Sequence, residues 1–450
     1  MRRGHPVGRV KLVEPGMQMS AFRRQLTQEV MGLWVLDGHE HLHLPEEHGR
    51  KATDCFYLTG HYLNADLVSA GMPQAEMESL RDTSIPLEQR WERFAPWWEY
   101  ARTTGYGQAV ERCVRELFSL PGLTDATYRP LSELVAANAG KVAWYEHVLK
   151  ERARLIGCLA DIWSTQGDRR YFLPIVRFDE LIMARTRQEV VSRKECTEGG
   201  EPGSLTDYLR CLDGALERYL TAGVVGLKCG LAYRRGLRFE VVARDEAARL
   251  FERALRDDLS TADATPLQDF LFHEVCDRAA AVGLPFQIHT GLQAGNTGAD
   301  VVWTNPVQLT NTLKAHPRTA FDLFHGGYPY GSELATLGKN FPNAHINACW
   351  LAIISPTVLR RSLHEWLDTV PHNKLQAFGG DYNMPELSYA HALMAREAVA
   401  DVLAERVEAG FLAEADAPVL ARRLLAENGL KLFKISQEHV DAATAPLQAT

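Results

Sequence analysis

Eight short apolar runs, most of them followed by a helical pattern, set the rhythm of this chain. They cover residues 33–37, 155–162, 171–176, 224–228, 285–288, 321–324, 344–348 and 375–378. Short apolar runs bounded by polar or turn-forming residues predict buried strands. Between them, apolar residues recur three and four apart, as in LTDYLRCLDGALERYL, which predicts a helix over 205–220. Similar patterns predict helices over 20–31, 144–151, 245–259, 267–281, 331–341, 359–370, 389–410 and 415–427. Strands alternating with helices favour a parallel sheet covered by helices. Eight such units predict an α/β fold, a distorted TIM (β/α)8 barrel, with catalytic residues at the C-terminal ends of the strands. A doubly wound sheet would need a glycine-rich phosphate loop after the first strand, where the chain reads HEHLHL instead.

One region breaks the rhythm. Residues 51–140 contain no clean strand, and their patterns are helical over 64–70, 74–80, 87–103 and 107–118. The aromatic run RWERFAPWWEY reads as helix packing. Placed between an active-site strand and the next strand, the region is expected to lie over the catalytic end as a lid. It is expected to be an insertion into a single barrel domain spanning 1–450, not a domain of its own. The tail from about Gln437 is expected to be flexible.

Composition narrows the class. The 450 residues can bury one large core, and 46% hydrophobic with 24% charged residues suits a soluble enzyme. A formal charge of -8 argues against a surface devoted to nucleic acid, although a small anionic substrate answers to local charge. No apolar stretch approaches the roughly 20 residues that cross a bilayer, and the N-terminus lacks the apolar run of a signal peptide. The eight cysteines are scattered with no CxxC pair, so a reducing cytoplasm with free thiols is expected, and any metal should be held by histidine and carboxylate. Homo-oligomerisation is expected on general grounds.

The stretch VLDGHEHLHL carries the first chemistry. His39, His41 and His43 alternate, and alternate residues of a strand share a face, so adjacent members of this set can hold one metal ion. Structurally bonded histidines are the alternative. Further ionisable residues fall at other predicted strand ends: Lys228, His289, His325 and Asp381. Each alone has an ordinary structural reading, but a barrel gathers distant strand ends around one axis. Two histidines, a third from another strand and a carboxylate make a mixed nitrogen and oxygen site with one position open for water. Zinc is the default divalent ion, with manganese or iron feasible. Asp381 is placed to act as ligand and general base together, and His325 to stabilise negative charge or protonate a leaving group. Lys228 either bridges two metals as a carbamate or binds substrate carboxylate as an ammonium. Nearby Tyr233, Arg234 and Arg235 favour anion binding. Arg177, Gln293, Trp303, Asn305, Tyr328, Tyr330 and Trp350 flank the expected pocket as substrate-binding candidates, with at least half of the aromatics expected to serve packing between loops. His61, in the insertion, is expected to be a structurally bonded surface histidine.

The segments DGHEHL, GLKCGLAYRRGL, PFQIHTG, FHGGYPY and FGGDYNMPE together resemble the amidohydrolase superfamily, in its amidohydrolase-related branch. They are most similar to the amidohydrolase-like domains that occur alone or fused to glutamine-synthetase-like domains. The resemblance implies an Asp-x-His-x-His signature at Asp37, His39 and His41, with the later positions at His289, His325 and Asp381; it leaves His43 out. It thereby implies His39, His41, His289 and Asp381 as metal ligands and Asp381, His325 and Lys228 as catalytic residues. The insertion, with YLTGHYLNADLVSAGM, also resembles uronate isomerases, which use one metal and usually lack a lysine on strand four. A third branch decarboxylates acids without oxidation. The leading expectation is a metal-dependent hydrolase that cleaves an amide or related bond in a small carboxylated substrate. Isomerisation, decarboxylation and a non-enzymatic metal-stabilised binding protein are the alternatives.

Overall fold

The computed structural model describes residues 20–161, 167–192, 200–295 and 300–445. Eight strands form one sheet in sequence order: β1 (Val35–Glu40), β2 (Leu155–Ala160), β3 (Phe172–Arg177), β4 (Gly226–Cys229), β5 (Phe286–Ile288), β6 (Phe321–Leu323), β7 (Ala344–Asn347) and β8 (Leu375–Gln376). Every neighbouring pair is parallel. The runs are nearly continuous in apolar residues because both faces of a parallel sheet are covered. The ring is completed by the chain that follows β8. Phe378 O accepts from Gly38 N at 3.3 Å, and Asp381 N donates to His39 O at 2.8 Å. His41 N then donates to Tyr382 O at 3.0 Å and His43 N to Asn383 O at 2.9 Å. The result is the expected (β/α)8 barrel with a loosely joined seam.

The two ends of the barrel interior differ in chemistry. At the N-terminal end, Leu36, Leu159, Leu173, Ile175 and Phe433 form a separate apolar plug. Above it lies a polar layer that the sequence pattern did not suggest. The buried Asp322 carboxylate accepts from Gln287 Nε2 (3.0 Å), Asn347 Nδ2 (3.0 Å) and Gln376 Nε2 (2.8 Å). Three amide donors offset much of the desolvation of that carboxylate, yet burial still pushes its pKa up to about 6. Arg177 lies in register with Lys228, Lys228 with Gln287, and Gln287 with Asp322, so one row runs from this layer to the mouth of the barrel.

The insertion forms the helices Leu63–Ser69, Gln74–Ser79, Leu87–Ala101, Gly105–Glu116 and Tyr128–Asn138. Its Phe94, Trp98 and Val110 belong to the same apolar cluster as Leu155 and Ile288 of the barrel. Two expectations change. The helix expected over 267–281 begins at Thr261, because the Ser260 side chain caps it by accepting from Asp263 N. The tail expected to be flexible holds a helix, Gln437–Thr444, capped by Ser436. No helix of the described residues is long and apolar enough to cross a membrane.

Candidate metal centre and active site

The C-terminal end of β1 runs three residues beyond the expected strand, and its polar side chains are buried: Asp37, His39 and Glu40 are 0–1% exposed. His39 Nδ1 donates to Gln287 Oε1 at 3.1 Å, and His41 Nδ1 donates to the Asp161 carbonyl at 2.9 Å. With Nδ1 committed in both rings, each Nε2 faces inward, where it can bind an ion through its lone pair or, protonated in His41, donate to Asp381. Both Nε2 atoms face one carboxylate oxygen, Asp381 Oδ1, at 3.7 Å from His39 and 3.3 Å from His41. Asp161 Oδ2 approaches from another side, 3.9 Å from His39 Nε2 and 4.0 Å from His41 Nδ1. Two imidazoles and a carboxylate converging with their outer nitrogens already bonded fit a divalent ion of the zinc, manganese or iron kind.

Asp381 is held by its neighbours on both sides. Asp37 Oδ1 accepts from Gly380 N at 2.9 Å and Glu40 Oε2 from Tyr382 N at 2.6 Å. A Cβ on Gly380 would fall inside the Glu40 carboxyl group. Between these two anchors Asp381 sits in the left-handed region, φ 57°. His325 after β6 (φ 61°) and Trp350 after β7 (φ 67°) do the same. Non-glycine residues there cost on the order of 1–3 kcal/mol each and persist where the surroundings over-determine them. For Asp381, burial alone would raise the carboxyl, but the hydrogen bond from His41 and the nearby His325 and His39 outweigh it and hold it well below the usual range.

His289 does not share that convergence point. Its Nε2 donates to Leu292 O at 2.8 Å and its Nδ1 lies 3.0 Å from His325 Nε2, whose own Nδ1 donates to Cys349 O at 3.2 Å. The outer nitrogens of this pair both donate, so the inner contact needs one further proton to be a hydrogen bond. Burial lowers both imidazoles, His325 to about 4. Both rings are thereby kept neutral, with lone pairs facing each other at the inner contact and no spare proton between them. His325, Cys349 and Asp381 also have donor atoms close enough to share an ion, as do His39, His41 and Asp161.

Lys228 is buried with its ammonium 3.6 Å from the centre of the Phe324 ring. Burial first, then the Arg177 charge, lower its pKa to about 8 against the partial offset of Asp381 and Asp161. A lysine depressed from 10.5 to about 8 penalises the fold wherever it must be charged. That penalty is absent above the unfolded pKa and grows as pH falls through the folded one. Lys228→Met should therefore stabilise the protein by up to about 3 kcal/mol at pH 7, with the gain fading between pH 8 and 10.5. Urea midpoints at both ends of that window check it; an equal gain at pH 10.5 would point to packing instead.

The substrate-binding candidates separate into three kinds. Tyr233 and Trp350 are at the site: their rings lie 4.6 Å from His289 and 5.1 Å from His325. The buried Trp350 Nε1 has no partner among the described residues. Arg177 is at the site but already paired, with Nε and Nη2 at 2.6 and 2.5 Å from Asp161 Oδ2. The other candidates take structural or surface positions. Arg234 is exposed and pairs with Glu180 at 2.7 Å, and Trp303 is 48% exposed. Asn305 caps the turn Pro306–Leu309 by accepting from Val307 N at 3.0 Å. Tyr328 accepts from Leu292 N through its backbone at 2.7 Å. His61 is half-buried: it packs on Tyr62 and Tyr382, and its buried Nδ1 has no partner among the described residues, so the expected structural bond is not found there. His43 points elsewhere, toward Lys51 and Tyr57.

Sequence reasoning missed Asp161, Gln287, Glu40 and Tyr62. Asp161 had a signal, being the first polar residue after the apolar run of β2. Tyr62 stacks on Trp350 at 4.5 Å, and burial together with the Asp381 carboxylate pushes its hydroxyl well above the usual phenol range. Nothing in the local sequence marked Gln287, whose role depends on β1 lying across the barrel.

Comparison with known proteins fits this geometry. The protein fluG of Emericella nidulans is 28% identical over 235 residues, a match covering 49% of this chain and 27% of fluG, so the chain spans about a quarter of that relative. Uronate isomerase from Thermotoga maritima superposes with a TM-score of 0.75 at 16% identity, covering 92% of this chain and 97% of its own. Glucuronate isomerase from Caulobacter crescentus gives 0.75 at 19%, covering 93% and 94%. A protein from Lactobacillus casei described as a metal-dependent hydrolase gives 0.65 at 19%, covering 92% and 98%. At these identities the superpositions establish the barrel fold. The amidohydrolase profile matches residues 210–435, through β4 to β8 and the strand ends that bear Lys228, His289, His325 and Asp381, and the chain belongs to the amidohydrolase family.

Proposed function

We propose that this enzyme is a metal-dependent hydrolase acting on an amide or related bond of a small carboxylated substrate. The convergence of His39 Nε2, His41 Nε2 and Asp381 Oδ1 carries the reading. His39, His41 and Asp381 would hold one divalent ion, with Asp161 in the place that the sequence suggested for His289. When bound, the ion supplies Lewis acidity to the scissile group and acidifies water. Asp381, kept ionised by its histidine neighbours, takes the proton of the attacking water. Asp381 then gives that proton to the departing nitrogen, and His325, 3.9 Å from the Asp381 carboxylate, flanks the transfer. Tyr233 and Trp350 wall the site, and the insertion serves as a lid through Tyr62, which sits on Trp350.

The second reading, isomerisation of uronic acids, is favoured by the superposition on two uronate isomerases over more than nine-tenths of this chain. Product mass separates the alternatives. N-acyl amino acids should yield products that together have gained one water, while free uronic acids should be recovered unconverted. Conversion of a uronic acid into a new product of equal mass selects isomerisation, and loss of carbon dioxide selects decarboxylation; either outcome rules out the hydrolase.

A further inference from the structure

A cavity of about 560 Å³ lies between the loop after β1 and the insertion, beside the donor cluster. Arg50, Lys51 and Arg81 line it. Its one acidic wall residue, Asp54, is paired with Arg90 at 2.8 Å. Lys51 is shared by Glu47 at 2.7 Å and His43 at 3.1 Å. Arg81 donates to the neutral Asn64 Oδ1 at 2.7 Å, and among the described residues neither it nor Arg50 has a carboxylate within 4 Å. The Arg81 guanidinium lies against Gly60, where a Cβ would come within 3.0 Å of it. Desolvation holds Arg81 below the usual arginine range. Two buried polar atoms on the same wall, His61 Nδ1 and Asn383 Oδ1, have no partner among the described residues. A protein of net charge -8 thus keeps a local surplus of cations in one cavity. The arginines that the sequence nominated for an acid group, Arg177 and Arg234, are already paired with carboxylates.

We propose that this cavity is a binding site for a small oxyanion, a carboxylate or phosphate group, held by Arg81 and Arg50 and supported by Lys51. Guanidinium groups suit planar or tetrahedral oxyanions through paired hydrogen bonds. The group belongs either to the far end of the substrate or to a separate small anion. This site does not depend on the reaction proposed above, because its cations are distinct from the donor cluster.

Titration calorimetry of the metal-loaded full chain with malonate and with inorganic phosphate tests it. Saturable binding of at least one anion is expected, retained after chelation and weakened about tenfold by Arg81→Gln and by Arg50→Gln, the effect of about 1.4 kcal/mol per lost charged contact. Both side chains reach solvent, and urea midpoints verify that the variants fold. Malonate that competes with substrate, with Arg81→Gln raising KM at constant kcat, assigns the group to the substrate. Malonate that binds equally well to substrate-saturated enzyme assigns it to a separate anion. No saturable binding of either anion, binding that vanishes on chelation, or unchanged affinity in the Arg50→Gln/Arg81→Gln double variant overturns the proposal.

Discussion

Asp381→Asn is expected to lower turnover by about 10³-fold while leaving the fold intact, the scale seen when a positioned general base is removed. Asparagine matches aspartate in shape and tolerates the left-handed backbone found at this position. The anchors from Asp37 and Glu40 bind the flanking backbone N–H groups and do not involve the Asp381 side chain. The loss is therefore electrostatic. Asp381 faces His41 at 3.3 Å, His39 at 3.7 Å and His325 at 3.9 Å, so its charge organises three imidazoles at once. Without it the proposed ion loses one of its two carboxylate ligands and the proton acceptor disappears in the same step. Metal content after gel filtration should fall along with turnover, and near-ultraviolet circular dichroism should not change. Treating the wild-type protein with a chelator should reproduce the loss, and a divalent ion should restore it. Wild-type turnover in Asp381→Asn, or in chelated protein, would remove Asp381 and the metal from the reaction.

The strands were legible because a parallel barrel needs short buried runs, and those runs stand out between helical patterns. Their ends were less so. β1 was expected to stop at Asp37 but continues to Glu40, since the barrel mouth buries polar residues that a hydropathy pattern reads as loop. β2 was read through to residue 162, which hid Asp161 inside a strand when the strand in fact ends at Ala160. The type of residue at each strand end was visible; its partner was not. Arg177 looks like an anion binder until Asp161, sixteen positions earlier, occupies it. His289 looks like a ligand until its ring is seen bonded between Leu292 and His325. Gln287 and Asp322 carry no motif, and their function as supports for His39 follows from strand register. Pairing across a barrel is set by topology, and local spacing does not encode it.

Gly38→Ala is expected to be the most damaging single-methyl change in β1, at about 1–3 kcal/mol of stability and about 10²-fold in turnover. A Cβ at residue 38 would stand 2.9 Å from the Phe378 carbonyl and 2.9 Å from Asn347 Nδ2. The first obstacle is backbone on the other side of the seam and cannot rotate away. The second belongs to the polar layer, tied to Asp322 at 3.0 Å. Relief requires prying β1 from the chain after β8, where the Gly38 and Asp381 backbone hydrogen bonds join them. His39 hangs from one side of that seam and Asp381 from the other, so a shift of a few tenths of an ångström opens the 3.7 Å approach on which the proposed ion site rests. Gly214→Ala is the matched control. It lies within the helix Leu205–Thr221 with its nearest neighbour 3.4 Å away at the end of the Arg218 side chain. Alanine there should stabilise by up to about 1 kcal/mol through helix propensity and leave turnover unchanged. Urea midpoints and kcat for the two variants decide the point: equal behaviour would mean that the seam is plastic, and that the site is not held by the close fit of β1 against the chain that closes the barrel.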